Sequence, residues 1–288
     1  MPRRYSGPLL LLFAVLAIGC GNPDTSTEDG VSQRVAETEV RLNATEGGAL
    51  LLEAIDAHGG LEAWYAAPTS SYTWEYANEP ADLQFKSFLV ADNETRRVYH
   101  DLLTVGAYGN PRPVEARFAW TGEDAWMYPD SIESVNPRFW ATTGYYFEQI
   151  PFILSDPGTF HERMADEELD GEMHDVVRVT FGQGVGDSPG DAYTLLLDKE
   201  TGLVNAIRYT VTYGRDPDPD ATPSETLFYY EDYVTVDGLT VATHFMGYDA
   251  EEMTFKNEAW ADSISFRRRF DPSRLEAPDG ARFVPAPN

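Results

Sequence analysis

The 288-residue sequence is poor in cysteine, lysine and long apolar runs, and each shortage excludes a class of protein. Cys20 is the only cysteine, so the chain can form no intramolecular disulfide, no Cys-x-x-Cys redox pair and no thiolate zinc cluster. No apolar run after residue 20 approaches the roughly twenty residues that a membrane-spanning helix needs. The sequence therefore predicts a protein held together by its core alone, with no spanning helix after its amino-terminal segment.

Basic residues are also scarce, and lysine occurs only at positions 86, 199 and 256. The chain has 21 basic and 48 acidic residues and a formal net charge of −27, and its acids are spread along its whole length. Such self-repulsion normally destabilises the compact state, but in molar salt the Debye length falls to about 3 Å. This pattern indicates a salt-adapted organism, with a cation-attracting surface as the alternative. We expect no nucleic-acid partner, because the sequence shows no basic patch to neutralise phosphates.

The first 19 residues have the organisation of a secretory signal peptide. Arg3 and Arg4 form a positive start, an apolar run follows over residues 8–18, and the small residue Gly19 ends the segment. Such segments are removed on export, so residues 1–19 are left out of the fold. Their removal leaves 19 basic against 48 acidic residues, a balance of −29.

The stretch Leu16-Ala-Ile-Gly-Cys20 resembles the lipobox of bacterial lipoproteins, with Ala17 where leucine is commonest. This resemblance implies cleavage before Cys20 and acylation of that residue, including a palmitate chain. Acyl chains would anchor the protein to a membrane without crossing it. We therefore predict a lipid-anchored protein of the bacterial cell envelope, at the outer membrane. The alternative is an ordinary signal peptide that contains a cysteine.

The mature chain divides into two parts by composition. Residues 20–47 are polar, acidic and poor in aromatics, which is typical of a flexible tether. Residues 48–288 carry nearly all the aromatic side chains and have a length that fits one β domain. We predict a single domain over this second range.

The domain is mostly strand by pattern, because β-branched and aromatic residues alternate with polar ones between short polar turns. A helix is predicted over residues 48–58, with a weaker signal at 147–154. Successive strands with short turns indicate an antiparallel meander. The predicted strands are residues 71–76, 84–90, 95–100, 114–120, 125–128, 175–181, 192–198, 203–213, 226–236 and 239–245.

Two short motifs raise the possibility of a serine hydrolase. His58-Gly-Gly60 has the form of an oxyanion loop, and Gly186-Asp-Ser188-Pro-Gly190 matches G-x-S-x-G, with His244 following it. A nucleophile elbow requires a strand before the serine and a helix after it. Ser188 instead lies in a glycine-rich loop that leads into another strand, and Pro189 does not suit the turn. We therefore favour a non-catalytic protein.

No pattern for a metal or cofactor site is present. The five histidines are widely spaced, without HExxH or an i, i+4 pair. The acidic stretch Asp216-Pro-Asp-Pro-Asp220 lacks the glycine and closing glutamate of a calcium loop. The sequence predicts no metal and no cofactor.

Three further stretches carry a resemblance to a known family. They are Asp198-Lys-Glu-Thr-Gly-Leu-Val204, Phe228-Tyr-Tyr-Glu-Asp-Tyr-Val-Thr-Val-Asp-Gly-Leu239 and the helix followed by His58-Gly-Gly-Leu-x-x-Trp64. They resemble the lipoprotein-localisation (LolA/LolB-like) superfamily and its lipoprotein relatives, although Thr240-Val-Ala242 replaces a proline common after the second motif. The resemblance implies a curved antiparallel sheet that forms an incomplete barrel, with a few helices against its concave face.

The same resemblance implies a cavity that binds lipid or another apolar ligand, since better-known members hold acyl chains there. The alternative is a structural or interaction lipoprotein whose core is filled by its own side chains. The register of each strand decides which of its faces points inward. The candidate lining residues are Trp74, Phe88, Phe118, Trp120, Trp126, Trp140 and Tyr146.

The stretch AIDAHGGLEAW, residues 54–64, is better explained as a helix end than as catalytic machinery. His58 falls in the last turn, where a cation would suit the helix dipole. Gly59 or Gly60 can adopt the left-handed conformation that ends a helix. We predict that this stretch is the hinge between the first helix and the sheet that it covers.

Overall fold

The computed structural model describes residues 28–182, 190–210, 212–213 and 225–286, and one large antiparallel sheet dominates it. Two 3-10 turns lie at Phe152–Ser155 and Pro272–Leu275. The α-helices are α1 (Glu28–Leu42), α2 (Glu46–Ala57), α3 (Gly60–Ala66) and α4 (Pro137–Glu148). The strands are β1 (Thr69–Asn78), β2 (Leu83–Asp92), β3 (Val98–Ala107), β4 (Asn110–Trp120), β5 (Ala125–Tyr128), β6 (Thr159–Arg163), β7 (Glu167–Leu169), β8 (Glu172–Phe181), β9 (Ala192–Asp198), β10 (Val204–Tyr209), β11 (Thr226–Glu231), β12 (Val234–Val236), β13 (Leu239–Val241), β14 (His244–Asp249), β15 (Phe255–Ser265) and β16 (Arg282–Val284).

The strand order shows that two meanders are joined side by side. The order is β16-β5-β4-β3-β2-β1-β15-β14-β11-β10-β9-β8-β6, with β7 added to β8 and a separate ribbon of β12 and β13. The first meander, β1 to β5, joins the second through the antiparallel pair of β1 and β15. The main sheet ends at β16 and β6 without closing on itself. The prediction of a mainly β fold with an incomplete antiparallel barrel is therefore confirmed.

Two predicted turns are present, and one of them occupies a different place in the sheet. Asp198 accepts hydrogen bonds at Oδ1 from the amides of Glu200 (3.1 Å) and Thr201 (2.7 Å), and this turn joins β9 to β10 as expected. The turn at Asp237 joins only the short strands β12 and β13. The long strand predicted over residues 226–236 is broken at Asp232, whose φ of 52° turns the chain out of the main sheet.

The two faces of the sheet carry separate apolar clusters. The inner face, defined as the face that α2, α3 and α4 cover, holds the larger cluster, which includes Trp74, Phe118 and Phe228. The outer face holds a smaller cluster under the Pro272–Leu275 turn, built from Val90, Tyr99, Ala119, Trp126 and Leu275. Because side chains alternate along a strand, neighbouring residues on the same strand belong to different clusters.

The structure differs from the predicted flexible tether over residues 28–47. This range holds α1, which buries Val31, Thr38 and Leu42 at helical spacing, and the start of α2. The Arg41 guanidinium donates a hydrogen bond to the carbonyl of Ser155. The acidic composition concealed this amphipathic stripe, because its apolar positions are few and dispersed among charges. Residues 20–27, including Cys20, lie outside the described residues.

In the part of the chain that the structure describes, no helix has the length and apolar character needed to cross a membrane.

Candidate ligand groove

Helix α4 lies on the inner face, and one glycine allows it to approach the sheet closely. Asn136 caps its first turn by accepting at Oδ1 from the amides of Arg138 (3.0 Å) and Phe139 (3.4 Å). The helix packs on β3, β4 and β5. A β-carbon at Gly144 would lie 3.1 Å from the ring of Trp74, so glycine allows this close approach.

A groove remains on the other side of α4, facing β1, β10, β11 and β15. Its volume is about 470 Å³, within the range of small-molecule sites. Half of its lining residues are aromatic, and a few polar groups lie among them. The lining residues are Trp74, Tyr76, Asn78, Pro80, Ala81, Phe139, Trp140, Thr143, Phe147, Tyr209, Thr226, Phe228, Lys256 and Asn257.

Ring-to-ring contacts hold the aromatic walls of this groove in place. The ring centroids of Tyr76 and Trp140 are 4.5 Å apart on one side. On the other side the Phe147 ring lies 4.8 Å from Tyr209 and 5.2 Å from Phe228. Such tilted pairs are favourable for aromatic rings, so the walls are preformed.

Two of the seven predicted lining residues, Trp74 and Trp140, line the groove. Trp74 reaches it from β1 and Trp140 from α4, so the structure brings together side chains 66 positions apart in the sequence. Three others, Phe118, Trp120 and Tyr146, belong to the inner-face cluster without lining the groove. Phe118 is fully buried and stacks on His100 with ring centroids 4.1 Å apart.

The remaining two, Phe88 and Trp126, lie on the outer face and do not line the groove. Phe88 packs under the guanidinium of Arg268, whose Cζ is 4.8 Å from the ring centroid. Trp126 donates from Nε1 to the carbonyl of Leu275 at 2.9 Å. Their placement as lining residues was wrong because aromatic composition alone does not fix which alternate residues of a strand point inward.

Sequence reasoning missed most of the lining, including Phe139 and Phe147 on α4. Their spacing of eight residues is helical, but the threonines and the glycine between them concealed the helix. The signal that could have revealed it is Asn136 followed by Pro137, an N-cap followed by proline in the first turn.

Several buried polar groups lie near the groove, at the end of α4 and on β1. Among the described residues, Tyr72 Oη, Trp74 Nε1, both carboxylate oxygens of Glu148 and both amide atoms of Gln149 have no hydrogen-bond partner. Burial raises the pKa of Glu148 well above its ordinary value, because desolvation disfavours the charged carboxylate. Burial therefore favours the protonated form of Glu148 over the carboxylate.

His58 connects three elements at the end of α2. Its Nδ1 donates to the carbonyl of Thr240 at 2.7 Å, and its Nε2 accepts from the amide of Val204 at 3.2 Å. Burial lowers the pKa of His58 to about 4, opposed only in part by the bond to Thr240. The ring is therefore neutral, and the expectation of a cation at the helix end was wrong.

The glycines beside His58 confirm that this stretch ends one helix and begins another. Gly59 has a φ of 117° and Gly60 a φ of 88°, and α3 starts at Gly60. The amide of Gly59 donates to the carbonyl of Asp56 at 3.1 Å. His58-Gly-Gly60 therefore joins α2 to α3 and to the ribbon of β12 and β13.

The proposed hydrolase residues do not form a described catalytic site. Both ring nitrogens of His58 are engaged by backbone groups. His244 lies between Glu231 (3.1 Å) and Glu258 (2.7 Å) and stacks on Trp260. Ser188 and Asp216–Asp220 lie outside the described residues. Within the described ranges, no group of three or more histidine, cysteine, aspartate or glutamate side chains is placed to hold a metal ion.

Comparison with solved structures identifies the fold. No protein-family model and no curated protein sequence matches this chain. A LolA superfamily protein from Nitrosomonas europaea matches with a TM-score of 0.53 and 9% identity, over 81% of this chain and 98% of that chain. The fold is LolA-like. A DUF1329 family protein from Desulfovibrio piger matches at a TM-score of 0.49 and 12% identity, over 80% of this chain and 97% of that one.

The LolA-like fold confirms the resemblance that the short motifs indicated. The likeness covers nearly the whole of the Nitrosomonas europaea chain and most of this one, so it applies to the fold as a whole and not to one part of it. At this level of identity it establishes the fold. The groove and its lining follow from the residues of this chain alone.

Proposed function

We propose that this protein is a lipid-anchored, non-catalytic protein of the cell envelope that binds lipid or another apolar ligand. The observation that carries this proposal is the preformed aromatic groove between α4 and the inner face. Its volume of about 470 Å³ is sufficient for a small apolar molecule or part of an acyl chain. The LolA-like fold provides the curved support on which α4 leaves that space open.

The chemistry of the groove favours an apolar ligand with a small polar part. Aromatic rings form the walls, and Asn78, Thr226 and Asn257 supply polar groups among them. Binding sites of this composition bury apolar surface and use a few polar groups for orientation. Transfer of an acyl chain from water into such a groove is favourable by roughly 25 cal/mol per Å² of apolar surface removed from water.

Filling the groove is expected to weaken the binding of a fluorescent acyl probe at least about tenfold. Thr143→Phe places a ring in the groove, because Thr143 lines it from α4, and so competes with the probe for space. The matched control is Thr142→Phe, one position along the same helix and outside the lining. Titration of the purified full chain with the probe measures both dissociation constants.

A second candidate function is a structural or interaction lipoprotein with a self-filled core. The observation that favours it is the large inner-face cluster, in which Phe118, Tyr145 and Phe152 are fully buried. Native mass spectrometry and lipid extraction of the purified protein separate the two candidates. If no apolar molecule co-purifies and neither the parent nor the Thr142→Phe variant binds the probe, the carrier function is excluded.

The anchor has its own test at Cys20. Cells grown with labelled palmitate are expected to incorporate the label into the parent protein and to lose it completely in a Cys20→Ser variant, because no other cysteine is present. Gel fluorography after immunoprecipitation measures the label, with total protein as the control. Label retained by the Cys20→Ser variant would contradict acylation at this residue.

A further inference from the structure

A second cleft, distinct from the groove, gathers positive charge in this acidic protein. Its volume is about 410 Å³, and it shares no lining residue with the groove. Four arginines line it, and we call it the arginine cleft after them: Arg34, Arg267, Arg268 and Arg269. The expectation of no basic patch was therefore wrong. Arg34 lies on α1, and the β1–β15 pair brings the end of β15 next to the start of β1.

Carboxylates neutralise the arginine cleft only in part. Arg267 pairs with Asp237 at 2.9 Å. Among the described residues, no carboxylate lies within 4.0 Å of the guanidinium of Arg268 or Arg269, and both side chains are exposed. Two acids also lie on the cleft wall, Asp92 and Glu94, so that four arginines face two carboxylates there. Asp92 is paired with Arg97 at 3.1 Å. In a chain of net charge −27, a concave surface with more guanidinium groups than carboxylates focuses attraction on anions.

Aromatic rings position two of these arginines. The guanidinium carbon of Arg34 lies 4.2 Å from the ring centroid of Tyr65, and that of Arg268 lies 4.8 Å from Phe88. The hydroxyl of Thr69 donates to the carbonyl of Arg268 and holds the backbone there. Stacking restricts the side chains before a ligand arrives, so less conformational entropy is lost on binding.

We propose that the arginine cleft binds a phosphate ester of the kind that anionic phospholipid headgroups carry. Guanidinium groups match the geometry of phosphate oxygens and donate in pairs. The cleft also presents Trp64, Tyr65 and Phe270 beside the arginines, and this combination of aromatic and cationic side chains suits the headgroup region of a bilayer.

The position of the arginine cleft in the chain agrees with a phosphate source in the membrane. Glu28, where α1 begins, follows Cys20 by eight residues, so a membrane anchor at Cys20 would hold Glu28 within about 28 Å of the bilayer. Arg34 lies six residues after Glu28, which is about 9 Å along the axis of α1. This positional argument rests on the proposed anchor, whereas the charge and the geometry of the cleft do not depend on it.

The test compares two double variants with the same change of charge. Arg268→Gln with Arg269→Gln removes two cleft charges, and Arg112→Gln with Arg178→Gln removes two exposed charges that line neither the cleft nor the groove. All proteins are full chains with Cys20→Ser, so that they share one amino-terminus without acyl chains. Co-sedimentation measures binding to vesicles of phosphatidylglycerol with phosphatidylcholine and to vesicles of phosphatidylcholine alone.

The parent is expected to prefer the phosphatidylglycerol vesicles, and the cleft variant is expected to lose about 10- to 30-fold in partitioning to them. The control variant should keep parental binding within about threefold. Calorimetric titration with glycerol 3-phosphate distinguishes the phosphate source. Cleft-dependent binding of vesicles assigns the site to lipid headgroups, and cleft-dependent binding of glycerol 3-phosphate without vesicle preference assigns it to soluble phosphate esters.

Equal losses in the two double variants, or no loss in either assay, would overturn the proposal. Circular dichroism checks that the cleft variant is folded, and Arg269→Gln alone replaces it if it is not. Binding of the acyl probe in the groove is expected to be unchanged in the cleft variant. The assays therefore distinguish a loss of acyl-probe binding in the groove from a loss of phosphate or vesicle binding in the arginine cleft.

Discussion

A Gly59→Ala variant is expected to lose about 4 kcal/mol or more of its free energy of unfolding, which is exceptional for the addition of one methyl group. A β-carbon at Gly59 would lie 2.2 Å from the carbonyl oxygen of Gly238. The carbonyl of Gly238 is part of the backbone, so no side-chain rotation can relieve the overlap. The φ of 117° adds strain for any residue with a β-carbon. Urea denaturation followed by tryptophan fluorescence measures the loss.

The matched control for this prediction is the neighbouring Gly60→Ala. Gly60 also has a positive φ, of 88°, but a β-carbon there would meet only Asp56 Oδ1, at 3.7 Å. We expect that variant to lose about 1–2 kcal/mol, the ordinary cost of a left-handed conformation outside glycine. Equal losses at the two positions would show that the contact between Gly59 and Gly238 does not control the packing of α2 and α3 against the ribbon.

A His58→Ala variant is expected to lose about 3–5 kcal/mol at neutral pH. The substitution leaves the amide of Val204 and the carbonyl of Thr240 without their ring partner, and it opens a cavity beside Phe152 and Tyr233, whose rings contact His58. The loss is measured by urea denaturation at pH 7. His244→Ala, an outer-face histidine paired with Glu231 and Glu258, is the control and should lose less than about 1 kcal/mol.

The pH dependence of stability gives an independent readout of His58. Its pKa is about 4 in the folded protein, against an ordinary 6.5, so the unfolded chain binds a proton that the folded protein does not. The stability from this residue is therefore complete above pH 6.5 and is lost as the pH falls towards 4, by about 3 kcal/mol. The His58→Ala variant should lack this loss of stability. A second loss, from His100, should remain in both proteins, because burial also lowers the pKa of His100 to about 4. Parallel pH profiles of parent and variant would contradict the assignment.

The sequence was sufficient for the class of fold because alternation and turn residues are local signals. The turns at Asp198 and Asp237 were predicted from their residue types and are present. Strand β15 was missed, because Lys256, Glu258 and Asp262 interrupt its apolar positions. Glu258 and Asp262 tolerate water on the outer face, whereas Ala259 and Ala261 are buried on the inner face. A central strand with small inward residues has little apolar signal.

The sites were harder to predict than the fold, because both depend on register and on distant pairing. Phe85 and Phe88 lie three positions apart on β2. Because side chains alternate along a strand, Phe85 points to the inner face and Phe88 to the outer face. The three consecutive arginines at 267–269 are visible in the sequence. Their proximity to Arg34, more than 230 positions earlier, follows only from the pairing of β1 with β15. Local patterns contain no information about such pairings.

The pairing of β1 with β15 also determines when the groove can exist. Trp74 lies opposite Ala261 in that pair, and the groove takes its walls from residues between Trp74 and Asn257. The first meander can form from local contacts, whereas closing so long a loop delays the contacts that complete the site. The walls of the groove are therefore incomplete until β15 has been synthesised. Any binding in the groove must follow the synthesis of β15, and a chain truncated before β15 would have no complete groove.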